Sequence, residues 1–499
     1  MEATLRTRAL RDSTLDGAFS AVMGSLTGGV FLTGFALKVL HAQPQQIGVL
    51  AALPTLANLV QLAGSYLVET TGQRKRLCLL GSVLSKTLWL LVLLLPLLPL
   101  PAAGRVWALV GILALTSLLS SLSGVAWMAW MSDLVPEAQR GTYFGKRNLV
   151  AAACGMAALL LGGKVLSLWE QHFGEGHATG FLLLFAAGIA AGGVSAWFLS
   201  RVPDLPPAAT GPGFRLRLFG QPFRDPNFLT LTLFVAAWTF ATQLAAPFYG
   251  VFMLEHLRAD FSLMTALSTL ATLANMLMLK SWGPIADRLG NKPVILVAGG
   301  VLAVVPFLWI LAPPAAYTLP LAVAHALSGA CLAGASLSQF NILLKLAPPA
   351  GRSVYIAVFN ATVGLIGGLA PVVGGSLSQA LQGFQAIIGG ITLSNLHVLF
   401  LLSAALQLLA LALLQRVQEA GAATPMAVIM QLRNDLDPQA GLASALDVAV
   451  VELRRTEGVL RRLDAATEAL AARSEHQVAR LVDRLAKPLK KLKDFLQES

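Results

Sequence analysis

Long apolar runs, separated by short polar or basic stretches, set the character of the chain. Twelve of them reach spanning length, at residues 14–40, 45–68, 77–98, 104–132, 143–168, 179–200, 226–254, 261–284, 293–312, 319–346, 353–381 and 393–416. A helix rises 1.5 Å per residue and the hydrocarbon core of a bilayer is about 30 Å thick, so about 20 apolar residues cross it. The pattern predicts an all-α membrane protein with twelve transmembrane helices. Beyond residue 416 it changes to an Ala/Leu/Arg/Glu-rich pattern in which Leu446, Leu453 and Leu460 keep a seven-residue spacing. A second apolar stripe runs from Val478 through Leu481, Leu485, Leu489, Leu492 and Leu496. This periodicity predicts a helical, coiled-coil-like extension; self-association and docking on the membrane surface through 440–499 both stay open.

Composition agrees with the lipid reading. Of 499 residues 56% are hydrophobic and only 12% charged, against roughly 25% charged in a soluble domain. So few charges cannot cover a soluble surface. The opening MEATLRTRALRD is polar and basic, and no small-residue cleavage site follows it, so the first run reads as a membrane helix and not as a removed signal. Cys78, Cys154 and Cys331 each stand alone in an apolar run, the pattern of packing residues and not of a metal site or disulfide framework.

The net charge of +11 does not point to nucleic acid, because of where it lies. Residues 1–416 hold 24 Lys/Arg and 13 Asp/Glu, which is the whole excess (24 − 13 = 11), and 417–499 hold 12 of each. Cations gather at the N-terminus and in the even-to-odd loops, among them Arg6, Arg8, Arg74, Lys75, Arg140, Lys146, Arg201 and Arg288. The odd-to-even side has only Lys38, Arg105, Lys164 and Arg258. By the positive-inside rule both termini are cytoplasmic, as in a multi-pass protein of a bacterial cytoplasmic membrane.

The chain also repeats itself. DLVPEAQRGTYFGKRN, from Asp133, aligns with KLAPPAGRSVYIAVFN, from Lys345, pairing Pro136 with Pro348, Arg140 with Arg352, Tyr143 with Tyr355 and Asn148 with Asn360 at an offset of 212. Gly162-Gly163 meets Gly374-Gly375 at the same offset. Between the copies lies a Pro/Gly-rich, basic stretch. The division is thus a six-helix bundle over 1–200, a cytoplasmic linker at 201–225, a second six-helix bundle over 226–416 and the extension at 417–499. Six helices of like orientation in each copy place the repeat axis along the membrane normal.

After the eighth run the sequence reads GPIADRLGNKP, with Gly283, Asp287, Arg288, Gly290 and Lys292 at the spacing GxxxDRxGxK. After the second it reads SYLVETTGQRK, where Glu69, Gly72, Arg74 and Lys75 keep the pattern and Ser65 replaces the first glycine. This resembles the loop signature of the major facilitator superfamily, and the resemblance extends over about residues 10–416. It implies that the small residue allows close packing, that Asp287 docks near the start of helix five, and that Glu69 docks near the start of helix eleven as a cytoplasmic gate. GLAPVVGG, from Gly368, is similar to a Gly/Pro motif of antiporters in this superfamily, although close helix packing explains it equally well.

In the superfamily helices one, four, seven and ten line the cavity. Here they offer Trp127 and Trp130; Trp238 and Gln243; and His325, Gln339 and Asn341; helix two adds Asn58 and Gln61. Lys86 lies about 13 Å inside helix three by its rise, with no evident acidic partner, so facing a cavity it would favour an anionic solute. Asp16 reads as a first-turn helix-dipole residue, and no acid falls near the middle of a span. There is no GxxxxGK[ST] loop, no catalytic constellation and no metal-ligand spacing. The reading is a secondary active or facilitative transporter of a small solute working by alternating access in a lipid bilayer, without cofactor and not an enzyme. Its alternative is a transporter-like sensor or scaffold signalling through the C-terminal tail.

Overall fold

In lipid every backbone N–H and C=O must be paired within the protein, which leaves the helix as the form for these apolar runs. The computed structural model describes residues 3–136, 139–204, 220–313, 316–348, 352–388 and 391–435. The linker stretch 205–219 and the tail stripes from Leu446 to Leu496 lie outside the described residues. Among those described, eleven helical stretches are long and apolar enough to cross a bilayer. Large apolar side chains on their outer surfaces are left bare of protein, with Leu161, Leu277, Leu319 and Leu409 each about two-thirds or more exposed, as lipid-facing positions are.

The first span differs from expectation at its start and in its course. Helix α1 runs from Ala3 to Thr27, so the basic opening is helical and the helix starts a dozen residues before the apolar run. It breaks at Gly28, with Gly29 at φ +50°, and resumes as α2, Gly29–Gly34, followed by a single π-helical turn, Phe35–Val39. The second span is also divided, into α3 (Pro44–Ala57), a 3-10 turn (Asn58–Val60) and α4 (Gln61–Thr71). Pro54 stands inside α3, where its ring removes a backbone donor just before the turn. Long helices follow: α5 (Arg74–Leu94), α6 (Ala102–Leu134), α7 (Arg140–Phe173), α8 (Ala178–Arg201), α9 (Pro226–Glu255), α10 (Phe261–Leu289), α11 (Asn291–Ile310), α12 (Thr318–Leu346) and α13 (Arg352–Ala380). A short antiparallel hairpin, β1 (Gln385–Ile388) and β2 (Ile391–Ser394), leads into α14 (Asn395–Leu414), and α15 spans Pro425–Asp435.

Local chemistry fixes several helix starts. Asp225 accepts from the N–H groups of Asn227 and Phe228, both at 3.0 Å, with Pro226 in the first turn of α9. Asp260 caps α10 through Leu263 N–H at 3.1 Å. The helices before residue 204 pack among themselves, α1 on α7 and α8 and α5 on α6 and α8; those after 220 do likewise, α10 and α11 on α12 and α9 on α13 and α14. Packing continues beyond residue 416, since Val417 and Val428 are fully buried and the compact unit ends at Val428.

Two seams join the groups, α3 against α13 and α7 against α10. At one, a Cβ placed on Gly375 would lie 2.6 Å from the carbonyl oxygen of Pro44, and one on Gly48 would strike the carbonyl of Pro371. At the other, a Cβ on Gly163 would lie 2.8 Å from the carbonyl of Phe261 and would strike Thr265. One glycine of each pair that repeats at an offset of 212, Gly163 and Gly375, thus permits backbone contact at a seam, while Gly162 and Gly374 pack within their own groups. The GLAPVVGG stretch serves close packing on two sides, because a Cβ on Gly368 would meet Leu56 across the seam at 2.6 Å and one on Gly374 would meet the carbonyl of Leu244 on α9 within the second group.

The seams occupy one face only. Call the end carrying the Gly72 and Gly290 loops the motif face. On the opposite face Ser167 donates to Asp260 at 3.2 Å and accepts from Ser262 N–H at 2.8 Å. Gln382 meets Gln43 at 3.3 Å, Gln45 N–H meets Gln379 at 3.4 Å, and Phe261 packs on Phe31 and Phe181. Among the described residues no hydrogen bond, ion pair or ring contact joins the two groups at the motif face. A backbone carbonyl cannot rotate aside as a side-chain end can, so added bulk at Gly375 must push α3 from α13. Cross-linking of a Gln45→Cys/Gln379→Cys pair is therefore expected to fall several-fold in Gly375→Val and to persist in Gly124→Val, where nothing lies within 4 Å. Equal cross-linking in both contradicts the seam.

Candidate functional site

Two larger cavities lie along the join between the groups, apart from a small charged one of about 170 Å³ among Lys38, Glu170, Arg258 and Asp260 on the face opposite the motif loops. The first, about 440 Å³, sits among α9, α10, α11, α12 and α14, with Val30 from the resumed first span in its wall. Of the sequence candidates Trp238, Gln243 and His325 line it. Its aromatic wall is ordered by ring contacts: Tyr249 lies 4.5 Å from Trp309 and 4.6 Å from Phe400, and His325 lies 5.4 Å from Trp309. The His325 Nδ1–H points to the Leu321 carbonyl at 2.8 Å, which fixes the ring and leaves Nε2 free of that bond. Gln407, on α14, is a lining residue absent from the sequence candidates. Its signal is a lone amide in the apolar run LLSAALQLLALALL.

The second cavity, about 520 Å³, opens where the α3–α13 seam ends, on the motif side of Leu56 and Gly368. Asn58, Gln61 and Ser65 face Ile356, Asn360 and Gly364 across it. The 3-10 turn presents Asn58 here, its side-chain oxygen accepting from Gln61 at 3.0 Å and Ser121 at 3.3 Å. A break in a spanning helix that puts polar groups beside a cavity is the arrangement in which irregular backbone is tolerated at depth.

Lys86 does not face an empty cavity. It donates to Ser195 at 2.8 Å, Ser195 donates to Asp16 at 2.6 Å, and Arg147 reaches the other Asp16 oxygen at 3.4 Å. The Arg147 guanidinium lies 4.3 Å from the Trp127 ring centroid, so Trp127 carries a cation and does not line either cavity. Asp16 is not in a first turn: it follows Ala3 by thirteen residues, about 20 Å along α1 at 1.5 Å per residue. The lysine without an evident partner in sequence has a buried acid one hydroxyl away, and the expectation of an anionic solute loses its basis. Trp130 is likewise core, 1% exposed, with its N–H on the Pro203 carbonyl at 3.1 Å. Gln339 and Asn341 line neither cavity.

The motif residues are placed as follows. Gly72 ends α4 at φ +65° and Gly290 separates α10 from α11 at φ +95°, conformations that glycine adopts without strain. Lys75 donates to the Val202 carbonyl at 2.7 Å, and Lys292 to those of Gln415 and Val417 at 2.8 Å each. In both copies the motif lysine caps the end of the group's last helix, where cations meet unpaired carbonyls. Arg74 pairs with Asp133, and Arg140 donates to the Ser132 carbonyl at 2.8 Å. In the second copy the acid comes instead from Glu419, which receives Asn291, the Lys292 N–H at 2.7 Å and Lys345 at 3.1 Å. Burial alone would raise the Glu419 carboxyl, but these donors hold it below the ordinary glutamate value. Asp287 and Arg288 are exposed, Asp287 makes no hydrogen bond or ion pair among the described residues, and a Cβ on Gly283 would meet nothing within 4 Å. The close packing implied for Gly283 is absent from this arrangement. The side chains of Glu69 and Arg352 lie outside the described residues.

Removing a buried acid leaves its cations uncompensated, at a cost of about 3 kcal/mol or more. Asp16→Asn is expected to lower the melting temperature of the purified protein, and adding Lys86→Gln to recover part of the loss. An unchanged melting temperature in Asp16→Asn contradicts the network.

The model of the Major Facilitator Superfamily matches residues 17–371 and 239–426. A search of curated proteins gives no match. Among solved structures the chain is similar to a point mutant of the nucleoside transporter NupG, with a TM-score of 0.67 and 12% identity over 82% of this chain and 100% of that one. It is similar to a bacterial homolog of the human lysosomal transporter Spinster, inward-facing and unoccupied, with a TM-score of 0.61 and 15% identity over 88% and 100%. A bacterial homologue of the iron transporter ferroportin, inward-facing, gives a TM-score of 0.59 and 15% identity over 84% and 99%. Likeness at such identities establishes the fold and no solute. With the family model covering most of the chain, and the fold, the repeat and the two loop motifs agreeing with it, the chain belongs to the Major Facilitator Superfamily.

Proposed function

We propose that the chain is a secondary transporter that carries a small solute across a membrane by rocking two six-helix bundles, 1–200 and 226–416, joined by the 201–225 linker. The observation that carries this reading is the asymmetry of the join: backbone-close seams on one face and a cavity open between the groups toward the other. A fold locked for a structural role gains nothing from closing on one face only, whereas alternating access needs two such arrangements. The basic loops support a cytoplasmic motif face, and hence cytoplasmic termini and an inward-open state. The inward-facing Spinster and ferroportin homologues support the same assignment.

In this reading Asp287, Gly283 and Glu69 act in the other state. When the motif face closes, the end of α10 approaches α7, Gly283 admits the contact, and Asp287 finds its partner near the start of α7. The exposed Asp287 and the open space at the Cβ position of Gly283 are what the open state of such a gate requires.

Proteoliposomes holding the purified chain, incubated with a metabolite mixture and read by mass spectrometry of their contents, test the proposal. At least one small solute is expected to enter faster than into protein-free vesicles, and Gly375→Val to abolish the difference. Equal contents for every solute contradict transport.

A further inference from the structure

The chemistry of the two cavities has a common property. The residues lining them include no Asp, Glu, Lys or Arg. The cations and the acid of the nearby first group are instead engaged with one another through Asp16, Ser195, Lys86 and Arg147. A charged solute entering the smaller cavity would lose its hydration with no opposite charge to meet it.

What the smaller cavity does offer is an aromatic, apolar lining and a lining amide whose acceptor is unpaired. Trp238, Tyr249 and Trp309 line its space with aromatic carbon. Gln407 is 3% exposed. Its Nε2 donates to Ser403 at 3.1 Å, and Ser403 in turn donates to the Ala241 carbonyl at 2.7 Å. Because the Ser403 hydrogen is committed to that carbonyl, the amide orientation is fixed with Nε2 toward the serine. Gln407 Oε1 is then left buried with no partner among the described residues. Buried acceptors are almost always paired, so an unpaired one on a cavity-lining residue is a partner that a small turn of the side chain can offer to a donor brought in from outside. The volume, about 440 Å³, is that of a small-molecule site.

We infer that this cavity is the solute site and that it takes an uncharged, flat heterocyclic molecule whose N–H or O–H donates to Gln407 Oε1 while its ring packs among Trp238, Tyr249 and Trp309. The inference rests on the transporter reading and narrows it to a substrate class. Uncharged amides along the wider cavity, at Asn58, Gln61 and Asn360, continue the same chemistry toward the motif face.

Matched probes test it. Intrinsic tryptophan fluorescence of the purified full chain is titrated with three pairs that differ in charge: nicotinamide and nicotinate, uracil and orotate, inosine and inosine 5′-monophosphate. At least one neutral member is expected to bind saturably and its anionic partner about tenfold or more weakly. Gln407→Leu is expected to weaken the neutral ligand by about tenfold, and Trp309→Leu to weaken it independently should the first variant fail to fold. The inference is overturned if no neutral probe binds, if anion and neutral partner bind alike, or if both folded variants keep full affinity. Binding with the expected pattern but no uptake into proteoliposomes overturns the transport reading and leaves the site assigned. Uptake of anions that Gln407→Leu does not alter does the reverse.

Discussion

Everything else in the molecule depends on backbone meeting backbone at two places, where Gly163 lies against the Phe261 carbonyl and Gly375 against that of Pro44. In lipid there is little hydrophobic force to bring helices together, so association relies on close van der Waals approach, and only a residue without a Cβ permits it. Each seam joins a helix of one group to a helix of the other, and the two are related by the internal repeat. Because both lie toward the same face, closing there leaves the motif face apart, with the cavity of Asn58, Gln61 and Asn360 between the helices.

Charge is arranged around that constraint. On the sealed face Lys38 bridges to Glu170 at 3.1 Å and lies 5.1 Å from the Phe261 ring, beside the Ser167–Asp260 bond that crosses the seam. Within the first group, Asp16 and its two cations satisfy one another away from the cavities. At the motif face the lysines of both loop motifs cap the ends of α8 and α14, which holds each group rigid from within. The only motif acid whose side chain is described, Asp287, is left uncommitted on the surface. On the proposed transport reading, a group whose internal ties are complete moves as a body, and the acid at its edge pairs in the other arrangement.

Much of this was legible in the sequence, and the failures have physical causes. The helical membrane fold and the loop motifs follow from apolar length and residue spacing; of the twelve spans expected, eleven meet the length and hydropathy of a crossing helix among the described residues, because the second run is divided at Asn58–Val60 into two shorter helices. The offset of 212 found the glycine pairs but not their use, since a repeat shows that a position recurs and not what it touches. The place of Asp16 within α1 was hidden because the basic opening looks too polar to belong to the apolar run, although it continues the same helix. Lys86 looks alone because its partners, Ser195 and Asp16, come from α8 and α1, remote in sequence. Trp127, Trp130 and Trp238 look alike in an apolar run; a helix surrounded by protein and lipid has lost the amphipathic stripe that would sort them. Gln407 stands in plain view, a single amide in α14, and escapes notice because that helix is not among those the family resemblance marks as lining the cavity.

The central claim is that the two groups close on one face only by opening on the other. Double electron–electron resonance measures it directly, with spin labels at Gln45 and Gln379 on the sealed face and, in a second sample, at Thr71 and Ile356 on the motif face. The account predicts complementary populations: the fraction of molecules with short distances at the first pair equals the fraction with long distances at the second. Short distances at both pairs in most molecules, or fractions that vary independently when conditions change, would contradict it.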